Sequence, residues 1–278
     1  MNNNTSLKDL IIKHDFHFNK KYGQNFISDN NLLDAIVSDA QITSDDVVLE
    51  IGAGAGTLTK RLAQKAKKVV AYEIDKNLVG ILHENLADVD NVDIRFIDFM
   101  KEKTEVLVSE FANAKVVANL PYYITTPVIM RLLEEGIGQS ITVMVQKEVA
   151  DRLTGEPGTK DYSAITVKVK MLGGAVVTRK VLRNMFYPVP NVDSAVIRID
   201  RMPTYRGKDE KFTDKVIKTS FLMRRKTLVN NLVSFGFTKE EIQNTLENLG
   251  IDVNARAETL SADQFVALSD KLAELKNK

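Results

Sequence analysis

Leu49-Glu50-Ile51-Gly52-Ala53-Gly54-Ala55-Gly56-Thr57-Leu58 sets three glycines two residues apart, after an apolar run and before a helical pattern. A strand that breaks into a glycine turn and re-forms as a helix is the opening unit of an α/β sheet. The glycines let the backbone turn tightly and approach a ligand closely. In such sheets ligands sit beyond the carboxyl ends of the strands. The spacing is G-x-G-x-G. A dinucleotide fingerprint needs its third glycine one position later, where Thr57 stands. No Gly-Lys-Ser/Thr follows, so this is not the phosphate loop of nucleotide hydrolases. Taken alone, the glycines are as well explained by a tight turn. The ends of the next strands decide between the two.

Short β-rich runs alternate with helical patterns through the first two thirds. Strands are expected at Val47 to Ile51, Val69 to Glu73, Val92 to Ile97, Lys115 to Ala118 and Ile141 to Val145. Helices are expected at Leu58 to Ala66 and Leu78 to Leu86, and from Thr126, as N-cap, with Pro127 in the first helical position. Such alternation predicts a mostly parallel sheet covered on both faces. Ser163 to Leu172 and Ser194 to Arg201 read as further strands, and the rest reads helical. Thr238 with Glu241, and Ser261 with Gln264, are capping-box pairs. The composition shift near Pro203 divides the chain into residues 1–203 and a smaller helical domain, 204–278.

Glu73 ends the second strand, where a carboxylate can accept hydrogen bonds from both hydroxyls of a ribose. Asp98 ends the third and can accept one from the amine of an adenine. With Gly52 and Gly54 these make a pocket for an adenosine without a phosphate cradle. S-adenosylmethionine is the common cofactor of that description. Asp75 is a weaker neighbour and reads equally as a helix N-cap.

Asn119-Leu120-Pro121-Tyr122 follows the fourth strand on the same edge. The exocyclic amine of adenine is a poor nucleophile because its lone pair is delocalised into the ring. Accepting hydrogen bonds from its N–H groups favours lone-pair density on nitrogen. The Asn119 side-chain oxygen and the backbone carbonyl at Leu120 suit that task. Pro121 fixes the turn without needing a donor, and Tyr122 can stack on the base. Direct, in-line methyl transfer from S-adenosylmethionine needs neither a metal nor a covalent enzyme intermediate. Its product is S-adenosylhomocysteine.

The chain contains no cysteine, which excludes disulfides and thiolate metal sites. His14, His17 and His83 are too scattered for a metal site. No apolar run is long enough to span a bilayer, and residues 1–20 carry no signal-peptide centre; a cytoplasmic protein is expected. The net charge is only +1, but between Arg201 and Asn230 nine basic residues face three acidic ones, a local +6. Arg224-Arg225-Lys226 is the best RNA-phosphate candidate there, with Lys147 beyond the fifth strand. For any single lysine a solvated surface role is the commoner one. Phe221, Met223, Leu228 and Leu232 are expected in the core.

Together these segments resemble the ribosomal RNA adenine N6,N6-dimethyltransferase family. The resemblance runs from Lys20-Lys21-Tyr22-Gly23-Gln24-Asn25-Phe26, through Glu50 to Gly56, Glu73, Asp98 and Asn119 to Tyr122. It continues through Phe186-Tyr187-Pro188-Val189-Pro190-Asn191-Val192-Asp193-Ser194-Ala195 to Phe221-Leu222-Met223-Arg224-Arg225-Lys226-Thr227-Leu228. It implies a Rossmann-like class I methyltransferase fold with a small C-terminal all-helical domain. It also implies that Asn25 and Ile27 contact the cofactor beside Gly52, Glu73, Asp98 and Asn119, and that Phe186 offers a second aromatic surface to the flipped adenine. The implied substrate is 16S RNA of the small ribosomal subunit, methylated on two adjacent adenosines of a hairpin loop near its 3′ end. A loop base is cheaper to unstack than a duplex base. Two departures are Ala53, where the family more often has proline, and Phe99-Met100 after Asp98; neither removes a polar group of the chemistry.

Two other readings stand beside this one. A 23S RNA dimethyltransferase of the macrolide-resistance type shares nearly the same motifs, although the Arg-Arg-Lys-Thr and Phe-Tyr-Pro-Val-Pro segments favour the small subunit. An RNA-docking assembly factor with secondary catalysis is the third. A monomer is expected, since no self-pairing segment stands out.

Overall fold

The computed structural model describes residues 7–19, 22–202 and 207–276. The chain divides into two compact units, Met1–Ala150 with Val176–Arg201, and Asp151–Ala175 with Met202–Lys278. In chain order the elements are α1 (Leu7–Lys13), β1 (Phe26–Ile27), α2 (Asn30–Asp39), β2 (Val47–Ile51), α3 (Thr57–Ala63), β3 (Lys68–Tyr72), α4 (Val79–Asn85), β4 (Val92–Arg95) and α5 (Thr104–Phe111). There follow β5 (Lys115–Asn119), α6 (Tyr122–Glu134), β6 (Ser140–Gln146), α7 (Lys147–Leu153), α8 (Ala164–Leu172), β7 (Ala175–Val181), β8 (Phe186–Tyr187) and β9 (Ser194–Asp200). The last four are α9 (Glu210–Ser220), α10 (Leu228–Leu232), α11 (Lys239–Asn248) and α12 (Ala262–Lys276).

The first unit is built on a seven-stranded sheet of order β4-β3-β2-β5-β6-β9-β7. β2 through β6 pair in parallel, and β9 returns antiparallel to β6. Parallel strands covered on both faces read as near-continuous apolar runs. Accordingly Val48, Leu49, Val69, Val70, Val116 and Val117 are all buried. On one face Val48, Val69, Ala71 and Val117 pack with Leu33, Ile36, Leu58, Leu62, Ile81 and Leu82 from α2, α3 and α4. Phe111 of α5 meets Tyr72 edge-on at 6.4 Å on the other. The strand order reverses between β2 and β5, which opens a crevice beyond their carboxyl ends. A two-stranded antiparallel pair, β1 with β8, sets Ile27 opposite Phe186.

Three expectations are corrected. Ser163 to Leu172 is not a strand; Ala164–Leu172 is the helix α8, opened by a Ser163/Thr166 capping box and stopped at Gly173. Helix α6 begins at Tyr122, four residues before the expected N-cap Thr126, and Pro127 lies inside it. Its first turn closes because Ile124 N and Thr125 Oγ1 both donate to the Pro121 carbonyl, at 3.1 Å each. The boundary near Pro203 falls at residues outside those described. The division also differs from a single break, since Asp151–Ala175 joins the second unit. The reason is packing: Tyr162 and Val167 share a core with Phe212, Val216, Phe265 and Leu268, and the Tyr162 hydroxyl donates to Leu260 O at 2.8 Å. Both capping boxes were legible. Thr238 and Glu241 bond reciprocally, as do Ser261 and Gln264.

Candidate active site

A cavity of about 340 Å³ lies at the carboxyl edge of the sheet, against the reversal between β2 and β5. Its wall takes in Asn25, Ile27, Gly52, Gly54, Glu73, Asp98, Asn119, Leu120, Pro121 and Tyr122. Residues up to 97 positions apart in sequence, Asn25 and Tyr122, are thus gathered because each ends, or follows, a neighbouring strand.

The glycine loop is fastened rather than loose. Gly52 N and Ala53 N both donate to Tyr72 O, at 2.8 and 3.1 Å. Gly54 has φ +57°, and a Cβ there would stand 3.0 Å from two atoms of the Phe26 ring. Glycine is required on both counts, since φ is positive and the ring fills the space. Glu73 then ties the loop to β3. Its carboxylate accepts from Gly54 N, Ile74 N and Asp75 N, each at 2.8 Å. Burial pushes the Glu73 carboxyl up, and those three amides oppose the shift. Asp98 accepts from Met100 N through Oδ1 at 3.0 Å, while Lys101 Nζ stands 3.9 Å from Oδ2.

Asn119 is held by one end. Its Nδ2 donates to Asn25 O at 3.1 Å, so the amide is oriented with Oδ1 free to accept. The Pro121 carbonyl is already occupied by Ile124 and Thr125, which leaves that of Leu120 as the second acceptor of the turn. The Tyr122 hydroxyl pairs with Ser194 Oγ at 2.8 Å, and burial pushes its phenol up, so the ring is neutral and fixed.

Phe186 does not meet its expectation. It is 2% exposed, pairs with Ile27 across β1–β8 and lies in the core instead of the cavity wall. Tyr123, 62% exposed, is the aromatic that the wall carries next to Tyr122.

With this geometry in place, comparison with known proteins is decisive. The family model described as ribosomal RNA adenine dimethylase matches residues 15–274. The chain belongs to the ribosomal RNA adenine dimethylase family. A relative from Clostridium acetobutylicum, named ribosomal RNA small subunit methyltransferase A, is 44% identical over 95% of this chain and 97% of its own length. One of the same name from Streptococcus thermophilus is 46% identical over 96% of each chain. Among solved structures, a dimethyladenosine transferase from Plasmodium falciparum superposes with TM-score 0.76 at 26% identity, covering 90% of this chain and 96% of that one. The 23S rRNA methyltransferase ErmE gives TM-score 0.70 at 27% identity, covering 90% and 100%.

The dimethylase also carries a wall residue to which sequence reasoning gave no role. Glu50 of β2 lines the cavity, is 1% exposed, and neither carboxylate oxygen has a hydrogen-bond partner among the described residues. Desolvation pushes its carboxyl up to about 8; nearby Glu73 adds to the rise, and Thr59 of α3 offsets part of it. The signal was present, as an acid inside an otherwise apolar strand. A folded-state value above the unfolded one means that this acid weakens the fold progressively as pH rises from about 4.5 to about 8. The stability gain from Glu50→Gln, measured by denaturant unfolding without cofactor, should therefore widen by about 1.4 kcal/mol per pH unit between pH 5 and 8, then flatten. A gain independent of pH would contradict the assignment. Asp75 is the N-cap its position suggested: it accepts from Asn77 N, takes a second bond from Gln24 at 2.7 Å, and lies outside the wall.

The expected RNA contacts divide in two. Arg224 is committed within its own unit, donating to Lys160 O at 2.8 Å and pairing with Glu258 at 3.3 Å. Arg225 and Lys226 are exposed and make no ion pair among the described residues. Lys147 is exposed at the start of α7. Elsewhere in the basic stretch Lys208 pairs with Glu274 and Lys218 with Asp214. Arg206, like Lys20 and Lys21, lies outside the described residues. Met223 is 51% exposed and not core, whereas Leu228 and Leu232 are fully buried. Among the described residues no cluster of three metal-ligating side chains exists, and no helix is long and apolar enough to cross a membrane.

Proposed function

We propose that this dimethylase uses S-adenosylmethionine to convert two adjacent adenosines, in a hairpin loop near the 3′ end of 16S RNA, to N6,N6-dimethyladenosines. The observation that carries the reading is the one-sided anchoring of Asn119. With its donor end spent on Asn25, the side chain offers an acceptor to an amine and would repel a carbonyl edge. That favours adenine over guanine, whose corresponding position is an oxygen.

The wall suits the cofactor. Glu73 and Asp98 offer the acceptors that an adenosine needs. S-adenosylmethionine supplies a methyl group on a positively charged sulfur. The protein's part is placement. Asn119 Oδ1 and the Leu120 carbonyl hold the amine hydrogens and localise the nitrogen lone pair, and Tyr122 holds the base by its face. Most of the rate gain then comes from orientation. Each base is methylated twice, so these acceptors must also work on an amine with a single hydrogen left.

The small-subunit target follows the relatives that are 44–46% identical, against 27% for the 23S enzyme. Residues beyond the sheet unit, with Arg225 and Lys226 foremost, are read as its RNA-binding part, and Lys147 as a further phosphate contact. The protein would act in the cytoplasm as a monomer during small-subunit assembly. The test is transfer of labelled methyl groups to small subunits lacking dimethyladenosine, with large subunits in parallel. Label in the small subunit alone is expected. Label in the large subunit alone would favour the resistance-type reading, and tight cofactor binding without label would favour a docking factor.

A further inference from the structure

The acceptor assigned above to the cofactor's adenine sits on a very short turn. Asp98 N-caps a single 3₁₀ turn, Phe99–Lys101, by accepting from Met100 N at 3.0 Å. Ile97, Phe99 and Met100 line the cavity around it. Three residues of 3₁₀ turn have little hydrogen bonding of their own to hold them. Arg131 of α6 supplies what is lacking. Its side chain, 10% exposed, donates through Nη1 to Phe99 O and through Nη2 to Glu102 O, at 2.6 Å each. Nε donates to Glu135 Oε2 at 3.0 Å, and the guanidinium lies 5.4 Å from the centre of the Phe99 ring. Glu135 also accepts from Thr104 Oγ1 at 2.9 Å, which ties in the start of α5. Asp98 thus closes the turn at one end and Arg131 at the other. Ile124, Val128 and Arg131 follow the spacing of one helix face, and the first two line the cavity. The helix that begins at Tyr122 therefore carries both a wall of the pocket and the clamp on its adenine turn.

We propose that Arg131 is a positioning residue for cofactor selectivity: it holds the Asp98 turn in the conformation that accepts the adenine amine. The inference deepens the S-adenosylmethionine reading above and rests on its assignment of Asp98. The rigid, planar fork of a guanidinium meets two carbonyls at once, which the single ammonium of lysine does not. Methionine, of similar length, meets neither. Without the fork Glu102 O loses this donor, and Phe99 O keeps Glu102 N at 3.3 Å. The turn is then closed by weaker bonds, and the carboxylate it carries is no longer fixed.

The test uses two ligands and needs no catalysis. S-adenosylhomocysteine carries the amine; S-inosylhomocysteine has a carbonyl in its place, which a carboxylate repels. In calorimetric titration the parent should prefer the first by about 10–100-fold, the range of one hydrogen bond to a charged group. Arg131→Met should shrink that preference to about threefold or less, because the acceptor is no longer held in register. Arg131→Lys should fall between the two. A general loosening of the fold weakens both ligands alike and cancels in the ratio. Amide exchange without ligand gives the second readout. Met100, Lys101 and Glu102 should exchange about tenfold faster in Arg131→Met, while Val116 and Val117 of β5 keep the parent's rates. A parent-like ratio in both variants, or exchange that quickens in β5 as much as in the turn, makes Arg131 a structural residue only and overturns the proposal. A parent that binds both ligands equally removes Asp98 from the adenine, and the role of the clamp with it.

Discussion

Asn119→Ala should lower the rate of methyl transfer by about 10²–10³-fold, the cost typical of removing one preorganised polar group aimed at the reacting centre. The argument rests on how Asn119 is held. Its Nδ2 is anchored on Asn25 O, so Oδ1 is oriented before the substrate arrives. Alanine removes the acceptor and leaves the Leu120 carbonyl alone to bind an amine that must be held in one orientation. Asn119→Asp keeps an acceptor but loses the anchor, and places a carboxylate against the Asn25 carbonyl. It should also be slow. Single-turnover transfer to small subunits, with cofactor affinity measured by calorimetry, separates the step affected. The alanine variant should keep its cofactor affinity within a few-fold. A parent-like rate would remove Asn119 from the chemistry.

Glu73→Ala should instead be felt first in cofactor binding, with a loss of about 100-fold or more. One carboxylate accepts from three backbone amides, those of Gly54, Ile74 and Asp75. Deleting it leaves three donors without their acceptor, and each buried orphan costs about 1–3 kcal/mol. The glycine loop would lose its tie to β3, and the pocket its ribose acceptor. Glu73→Gln tests which matters more. It keeps an oxygen but puts an amide where the second row of donors points, so the loop is only partly restored. Calorimetric titration with S-adenosylmethionine gives the affinity, and amide exchange at Gly54 reports on the loop. Parent-like affinity in Glu73→Ala would remove the ribose assignment.

Much of the sheet could be read directly from the chain. Buried parallel strands are near-continuous apolar runs, so β2, β3, β5 and β6 were legible within a residue or two. Their carboxyl ends then located Glu73, Asp98 and Asn119. Failures came where local pattern and tertiary environment diverged. Ile165-Thr166-Val167-Lys168-Val169 alternates like a strand, yet burial of Thr166, Val167 and Val169 holds it as α8. The Ser163/Thr166 cap and Gly173-Gly174 were the start and stop signals for it. β7 was not identified, because an edge strand exposed from Val176 to Lys180 lacks a buried face to set the period. Phe186 was assigned to the site by resemblance, but its pairing across β1–β8 depends on a contact with Ile27, 159 positions away. The burial of Glu50 depends in the same way on α3 closing over β2.

The most direct test is nucleoside analysis of small subunits methylated by the purified protein with labelled S-adenosylmethionine. The account predicts two N6,N6-dimethyladenosines per subunit, adjacent in the 3′-terminal hairpin loop, and their loss with Asn119→Ala. Label recovered in any other nucleoside, or in adenosines outside that loop, would contradict it.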